Sequence, residues 1–121
     1  MLGICFGAQI LARALGAEVR RVGEPEVGWT TVVRAEPWIP EGRWFFWHED
    51  TFSWPADSTP LAWTAAAPKA VRCASHLGLQ FPAEASGDMI EKWLDKGVRK
   101  LERTASPLMR CSVRPAAWRP R

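Results

Sequence analysis

The sequence predicts a mixed α/β fold on three observations. A short apolar segment at residues 2–4 runs into Cys5, and apolar side chains then recur at helical spacing. The middle of the chain contains short segments rich in β-branched and aromatic residues, separated by prolines and glycines, as is typical of strands. An amphipathic segment with a helix-capping pattern begins at Asp88. A chain of 121 residues is long enough to bury one core, so we expect at most one domain.

Two helices are predicted at the ends of the β-rich region. The first runs from Gly7 to Leu15, and Gly16 supplies the left-handed residue that commonly ends a helix. The second starts at Asp88, which we expect to cap it because Glu91 follows at the capping-box position. Its apolar face is formed by Ile90, Trp93, Leu94, Val98 and Leu101.

Between these helices the sequence predicts several short strands. They are Val19–Val22, Trp29–Val33, Arg43–Trp47, Leu61–Thr64, Ala70–Cys73 and Leu77–Phe81. Residues 48–52 (HEDTF) are predicted as a polar loop, since consecutive side chains there are polar or charged. After Thr104 no periodicity is visible, so residues 105–121 are expected to form a disordered or poorly packed tail. The folded domain is therefore expected at residues 1–104.

The charge distribution argues against a nucleic-acid-binding protein. The formal net charge is +3, but the basic excess lies at the end of the chain. After position 98 only Glu102 opposes the basic residues Arg99, Lys100, Arg103, Arg110, Arg114, Arg119 and Arg121. A basic tail is not the folded basic face with aromatic platforms that nucleic-acid recognition requires. A small nucleic-acid binder would need these arginines to form such a face.

The cysteine pattern argues against a disulfide framework and against a metal site. Cys5, Cys73 and Cys111 are odd in number, lie far apart and form no CxxC pair. This usage is typical of a reducing compartment, and no segment approaches the roughly 20 apolar residues of a membrane span. We therefore expect a cytoplasmic protein with no membrane contact, no metal and no visible cofactor.

Cys5 lies between Gly3 and Gly7, where the apolar segment gives way to the first helix. A sharp strand-to-helix turn that presents a nucleophile needs small neighbours, and the helix N-terminus favours a thiolate. The backbone amide of Phe6 would then face a developing oxyanion. A buried structural cysteine at a tight turn explains the spacing equally well, because short glycine patterns arise by chance.

Three ordered motifs resemble those of the class I (triad-type) glutamine amidotransferases. Residues 3–9 (GICFGAQ) match the family's nucleophile motif Gly-x-Cys-x-Gly-x-Gln, and the likeness continues through residues 10–19. Residues 47–52 (WHEDTF) resemble the Trp-His-x-Asp-Thr-Phe segment of a subgroup similar to the amidotransferase domain of GMP synthase. Residues 78–84 (GLQFPAE) resemble Gly-x-Gln-Phe-His-x-Glu. The resemblance implies a flavodoxin-like α/β fold.

The resemblance also implies roles for individual residues. Cys5 would attack the side-chain amide of L-glutamine, with the Phe6 amide at the oxyanion. Glu84 would orient the motif histidine, which activates the thiol and protonates the departing ammonia. Gln9 corresponds to the motif glutamine that contacts substrate. Without the resemblance, Gln9 would be an ordinary polar residue on the solvent face of a helix.

The motif histidine is absent from this chain, because Pro82 stands at its position. His76 lies upstream along a predicted strand, about 20 Å away at the usual rise per residue, and is expected at the far end of the sheet. His48 and Asp50 are implied to lie in a loop beside the site, but nothing in their spacing places His48 within reach of Cys5. On their own these two residues would be a solvated turn.

Family members have several strands and helices before the nucleophile, whereas here Met1 falls inside the strand that leads into Cys5. We therefore expect the C-terminal part of the domain, from a truncated reading frame or a misplaced start. Two functions follow from this expectation. One is an amidotransferase-like domain with impaired or lost activity, and the other is a non-catalytic remnant or binding module that pairs with another chain. In the family, a synthetase or acceptor-domain partner determines the ammonia acceptor.

Overall fold

The computed structural model describes the backbone of residues 1–104 and the side chains of residues 1–97. The tail predicted at residues 105–121 lies outside the described residues. The chain divides into two compact units, of which the first is Met1–Glu84 and the second begins at Ala85. The first unit contains every strand of the described part and the helix that follows Cys5.

The first unit begins with one strand and one helix, and all of its later elements are strands. In order they are β1 (Leu2–Ile4), α1 (Phe6–Ala14), β2 (Val19–Thr31), β3 (Val33–Arg34), β4 (Arg43–Phe52), β5 (Thr59–Trp63), β6 (Pro68–Cys73) and β7 (His76–Leu79). The predicted α/β class and the β-rich middle of the chain are confirmed.

The strands form a five-stranded sheet of order β1-β7-β6-β5-β3 and a separate two-stranded ribbon of β2 and β4. Within the larger sheet β1 pairs with β7 in parallel, with Leu2 opposite Leu77 and Ile4 opposite Leu79. The remaining pairs of the sheet are antiparallel. The parallel pair brings the end of β1, and therefore Cys5, beside the end of β7.

Two clusters of buried apolar side chains hold these elements together. The larger one contains Val32, Ile39, Phe46, Leu61, Ala62, Ala70, Leu79 and Phe81. The smaller one contains Ala8, Ala12, Phe52 and Val71, and so packs α1 against β4 and β6. Small side chains let the helix approach the sheet closely. A Cβ on Gly78 would lie 3.1 Å from Val71 Cγ1 and 3.6 Å from Ala8 Cβ.

The prediction of a polar loop at residues 48–52 is wrong, because these residues are the second half of β4. The strand pairs in antiparallel fashion with β2, which places Phe52 opposite Val19 and Asp50 opposite Arg21. His48 and Thr51 are buried in it, at 5% and 0% exposure. Two of the polar side chains that suggest solvent in the sequence are therefore interior groups of a strand, whereas Glu49 is exposed.

The second unit contains the helix α2 (Gly87–Thr104), which confirms the predicted second helix. Its predicted cap is wrong, since Ser86 occupies that role instead of Asp88. The Met89 backbone N–H donates to Ser86 Oγ at 3.4 Å, and the Ile90 N–H donates to the Ser86 carbonyl at 3.1 Å. Neither α1 nor the described α2 combines the length and the apolar character that a membrane crossing demands.

Candidate active site

Cys5 forms the turn between β1 and α1, and its backbone is in an unusual conformation. Its φ is 52° and its ψ is −114°, outside the regions that non-glycine residues normally adopt. The Cys5 N–H donates to the Leu79 carbonyl at 2.7 Å, and the Cys5 carbonyl accepts from the Ala8 N–H at 3.0 Å. These bonds hold a conformation that costs on the order of 1–3 kcal/mol, and such strain is concentrated at functional sites.

Only one of the two glycines that flank Cys5 is required by close packing. A Cβ on Gly3 would lie 2.5 Å from the Gly7 carbonyl oxygen and 3.0 Å from the Ala8 nitrogen, both of them backbone atoms. A Cβ on Gly7 would meet nothing within 4 Å among the described atoms. The turn therefore depends on a bare backbone at Gly3, where the first turn of α1 folds back over β1.

The pKa of the half-buried Cys5 thiol is raised above its usual value. Burial is the largest cause, because the thiolate loses solvation by water. A hydrogen bond with the Phe6 backbone acts in the opposite direction, and the negative charge of Glu84 raises the pKa further. The structure thus brings Cys5, the Phe6 amide and Glu84 together, in an environment that favours the neutral thiol.

Among the described side chains, no imidazole accompanies these three groups. Pro82 stands half-buried between Phe81 and Glu84, where it can neither accept nor donate a proton. His76 lies at the start of β7, with Nδ1 3.3 Å from the amino group of Met1. It is therefore at the opposite end of this strand from Cys5.

Gln9 and Gln80 form a buried amide pair beside Cys5. Gln9 is 6% exposed, and its Nε2 donates to the Asp50 backbone carbonyl at 2.9 Å and to Gln80 Oε1 at 3.2 Å. Gln80 is 1% exposed, and its Nε2 lies 3.9 Å from Cys5 Sγ. The expected solvent-facing alternative for Gln9 is wrong. Gln80 belongs to the third motif of the sequence, but no role was predicted for it, although a glutamine between Leu79 and Phe81 at a strand end was a signal of a buried amide.

His48 belongs to the same polar network but does not contact Cys5. Its Nδ1 lies 2.9 Å from the Asp50 carbonyl oxygen, the oxygen that also accepts from Gln9. On the other side of the ring, Nε2 lies 3.0 Å from Lys69 Nζ and 3.1 Å from a Glu26 carboxylate oxygen. Asp50 enters the network through its backbone. His48 and Asp50 are therefore near the site, as the resemblance implies, but in a strand.

The interior end of this network is an ion pair between Glu26 and Lys69. Lys69 is fully buried with its ammonium 4.7 Å from the centre of the Phe46 ring, and Thr64 Oγ1 donates to the second Glu26 oxygen at 3.3 Å. Neither ion was predicted from the sequence, because a lysine and a glutamate in strands normally point to solvent.

Burial shifts the pKa of both ions, but it determines the direction of the shift only for Lys69. For Glu26, burial raises the pKa, but hydrogen bonds with His48 and Lys69 outweigh it and lower the pKa to about 2. For Lys69, burial outweighs the attraction of Glu26 and lowers the pKa. Glu26 has two stabilising partners, His48 and Lys69, whereas Glu26 is the one stabilising partner that acts on the pKa of the fully buried Lys69 among the described residues.

A family model described as glutamine amidotransferase class I matches residues 1–101. Among curated proteins, one of the subunits of the glutamine-hydrolysing GMP synthase of Sulfolobus acidocaldarius is 58% identical over 31 residues. That match covers 26% of this chain and 16% of the relative.

Solved structures give a similar result. A glutamine amidotransferase from Thermotoga maritima matches with a TM-score of 0.76 and 32% identity, over 84% of this chain and 48% of that chain. A glutamine amidotransferase from Methylobacillus flagellatus matches with a TM-score of 0.74 and 28% identity, over 82% of this chain and 44% of that chain. The chain thus covers less than half the length of each of these relatives.

Proposed function

The chain belongs to the class I glutamine amidotransferase family, with the flavodoxin-like fold of that family and a likeness to the amidotransferase domain of GMP synthase. On that premise we propose that its chemistry is Cys5-dependent hydrolysis of the L-glutamine side-chain amide, with release of ammonia to an acceptor. The observation that carries the proposal is the backbone of Cys5, which is held at a φ of 52° between β1 and α1. This conformation, at a strand-to-helix turn, supports the proposal that Cys5 stands at a nucleophile elbow.

The proposed reaction uses the groups around Cys5 in sequence. The Cys5 sulfur attacks the amide carbon of glutamine, and the amide oxygen becomes an oxyanion that the Phe6 N–H is positioned to receive. Collapse of this intermediate breaks the carbon–nitrogen bond, and ammonia leaves after taking up a proton. Water then hydrolyses the thioester to glutamate and restores the thiol.

Two protons must move in this reaction, and among the described side chains no imidazole lies beside Cys5 to move them. The family motif places a histidine where this chain has Pro82. Without it, Glu84 has no imidazole to orient, and its charge instead raises the pKa of Cys5. We therefore expect impaired or absent glutaminase activity in the isolated chain.

A second candidate function is a binding module that pairs with another chain, and the exposed edge of β1 favours it. Within the described residues β1 has a neighbour only on the β7 side. Leu2 on this strand is 57% exposed, and Phe6 and Ile10 on the following helix are 68% and 54% exposed. An unpaired strand beside apolar side chains is a common site of association. A synthetase subunit is the proposed partner, since one relative carries the name of a GMP synthase subunit.

One pair of assays tests both candidates. Glutamate release from L-glutamine is measured with the chain alone and with an added synthetase subunit, and each assay is repeated with Cys5→Ser. Cys5-dependent release in either case supports the enzyme. If no release occurs while sedimentation shows a complex with the synthetase, the binding module is supported. Absence of both release and complex formation would contradict the two candidates together.

A further inference from the structure

We propose that the Gln80 side-chain amide donates a hydrogen bond to the Cys5 thiolate, and that Gln9 is the positioning residue that fixes its direction. Both side chains are at least nine-tenths buried, and they connect the sulfur to the interior of the fold. The inference rests on the proposed function only in taking Cys5 as the nucleophile.

The orientation of both amides follows from the Asp50 carbonyl, which can only accept hydrogen bonds. The Gln9 atom that lies 2.9 Å from this oxygen must therefore be the nitrogen Nε2. The second hydrogen of Nε2 points to Gln80, so the Gln80 atom at 3.2 Å is the oxygen Oε1. The remaining Gln80 atom, Nε2, then faces Cys5 Sγ at 3.9 Å as a donor.

The Asp50 carbonyl also shows, by the same argument, which ring nitrogen of His48 carries a hydrogen. The His48 Nδ1 at 2.9 Å must carry a hydrogen, because the carbonyl has none to give. On the other side of the ring, Nε2 lies 3.0 Å from Lys69 Nζ and 3.1 Å from a Glu26 carboxylate oxygen, so His48 contacts both members of the ion pair. The Asp50 carbonyl thus accepts from both His48 and Gln9, and from Gln9 onwards each amide donates in the direction of Cys5.

The donor that Gln80 presents to Cys5 Sγ affects the balance between thiol and thiolate. The Phe6 amide is the other donor near Sγ, and Glu84 is the nearby charge that opposes the thiolate. A donor from Gln80 favours the thiolate over the thiol, because a hydrogen bond to an anion is stronger than one to a neutral group. In a site without an imidazole, this buried amide becomes a main support of the reactive form of Cys5.

The proposal is tested by the reactivity of the Cys5 thiol. The full chain carries Cys73→Ser and Cys111→Ser, and the rate of Cys5 alkylation by iodoacetamide is followed from about pH 6 to about pH 10. Gln80→Met removes the donor and is expected to lower the alkylation rate at neutral pH by roughly threefold or more. Gln9→Met is expected to act in the same direction. The double variant is expected to match Gln80→Met, because Gln9 acts through Gln80.

Thr51→Val is the matched control. Thr51 is fully buried in the same strand as Asp50, but its side chain takes no part in the network, so its alkylation profile is expected to match that of the parent. Near-ultraviolet circular dichroism confirms that each variant is folded. If Gln80→Met does not fold, Gln80→Glu keeps the acceptor for Gln9 and is expected to shift the alkylation profile to higher pH.

Profiles of folded Gln80→Met or Gln80→Glu that coincide with the parent would overturn the proposal. A change in Gln80→Met with none in Gln9→Met would overturn the positioning role of Gln9. Alkylation requires no glutamine, so failure here is distinguishable from failure of the proposed glutaminase. Absence of glutamate release would not change the conclusion from alkylation, and unchanged alkylation profiles would not change the conclusion from the glutaminase assay.

Discussion

A Cβ on Gly3 would lie 2.5 Å from the carbonyl oxygen of Gly7. Because the obstructing atoms are backbone, Gly3→Ala can be accommodated only by moving α1 away from β1, and with it the turn at Cys5. We expect Gly3→Ala to lower the free energy of unfolding by about 1–3 kcal/mol or more, as overpacking does. Urea denaturation followed by tryptophan fluorescence measures this change.

Gly7→Ala is the matched control for Gly3→Ala. The new methyl group meets no atom within 4 Å, and alanine is favoured over glycine in a helix by up to about 1 kcal/mol. The variant is expected to be as stable as the parent or slightly more stable. Equal losses of stability in the two variants would contradict the packing argument.

The Glu26–Lys69–His48 cluster predicts a specific acid sensitivity. The folded-state pKa of Glu26 is about 2, compared with its ordinary value of 4.5. A carboxyl group with a lowered pKa stabilises the fold at pH values above its ordinary pKa of 4.5. This contribution is lost as the pH falls from 4.5 towards 2. The loss amounts to about 3 kcal/mol, because each pKa unit corresponds to about 1.4 kcal/mol.

Comparison with Glu26→Gln isolates that contribution. The variant is expected to be less stable than the parent near neutral pH, because Lys69 is left buried without its carboxylate. Its free energy of unfolding is also expected to change less than that of the parent over the same acid range. Glu24→Gln, at an exposed position of the same strand, is the control and is expected to follow the parent. Parallel pH curves for the parent and Glu26→Gln would contradict the prediction.

Thr51 offers a stabilising substitution. Its side chain is fully buried and its Oγ1 has no hydrogen-bond partner among the described residues. Thr51→Val keeps the β-branched shape and removes the unsatisfied hydroxyl, so we expect the free energy of unfolding to rise by about 1 kcal/mol or more. Urea denaturation of the two proteins at neutral pH provides the comparison. A less stable valine variant would mean that the hydroxyl has a partner, such as a buried water molecule.

The sequence predicted the chain's local elements better than the interior contacts between them. The turn at Cys5 and the helix after it were predictable because glycine spacing and apolar periodicity are local properties. The placement of His48 in a strand was not, because its partners Glu26 and Lys69 are brought together only by pairing of β2 with β4 and by packing against β6. Gln80 was recognised as a motif residue, but its contacts with Gln9 and Cys5 could not be predicted, because they join residues that lie far apart in the sequence.

Glu84 is expected to act on Cys5 by charge alone. Burial and the Glu84 carboxylate both raise the pKa of the Cys5 thiol, and Glu84→Gln removes the second cause. Because Glu84 is exposed and screened by water, we expect only a small increase, roughly twofold, in the rate of Cys5 alkylation at neutral pH. Glu91→Gln, at an exposed position of α2, is the control. A slower reaction in Glu84→Gln would show that Glu84 supports the thiolate.

Pro82→His restores an imidazole at the position where the family motif has one, between Cys5 and Glu84 in the proposed triad. We expect faster Cys5 alkylation at neutral pH, because an adjacent imidazolium stabilises the thiolate. Pro82→Gln, which also removes the proline ring but cannot exchange a proton at neutral pH, is the control and is expected to show a smaller change.

Faster alkylation in Pro82→His is not expected to bring glutaminase activity in the isolated chain. General acid–base catalysis contributes about 10²- to 10⁴-fold, and a single oxyanion donor contributes about 10²- to 10³-fold. In the described part of the chain the backbone amide that hydrogen-bonds the Cys5 sulfur is that of Phe6, and a second backbone donor for the oxyanion would have to come from elsewhere. Glutamate release by Pro82→His alone that disappears with Cys5→Ser would contradict this expectation. It would mean that the imidazole is the one group that the site lacks, and that the Phe6 amide suffices for the oxyanion.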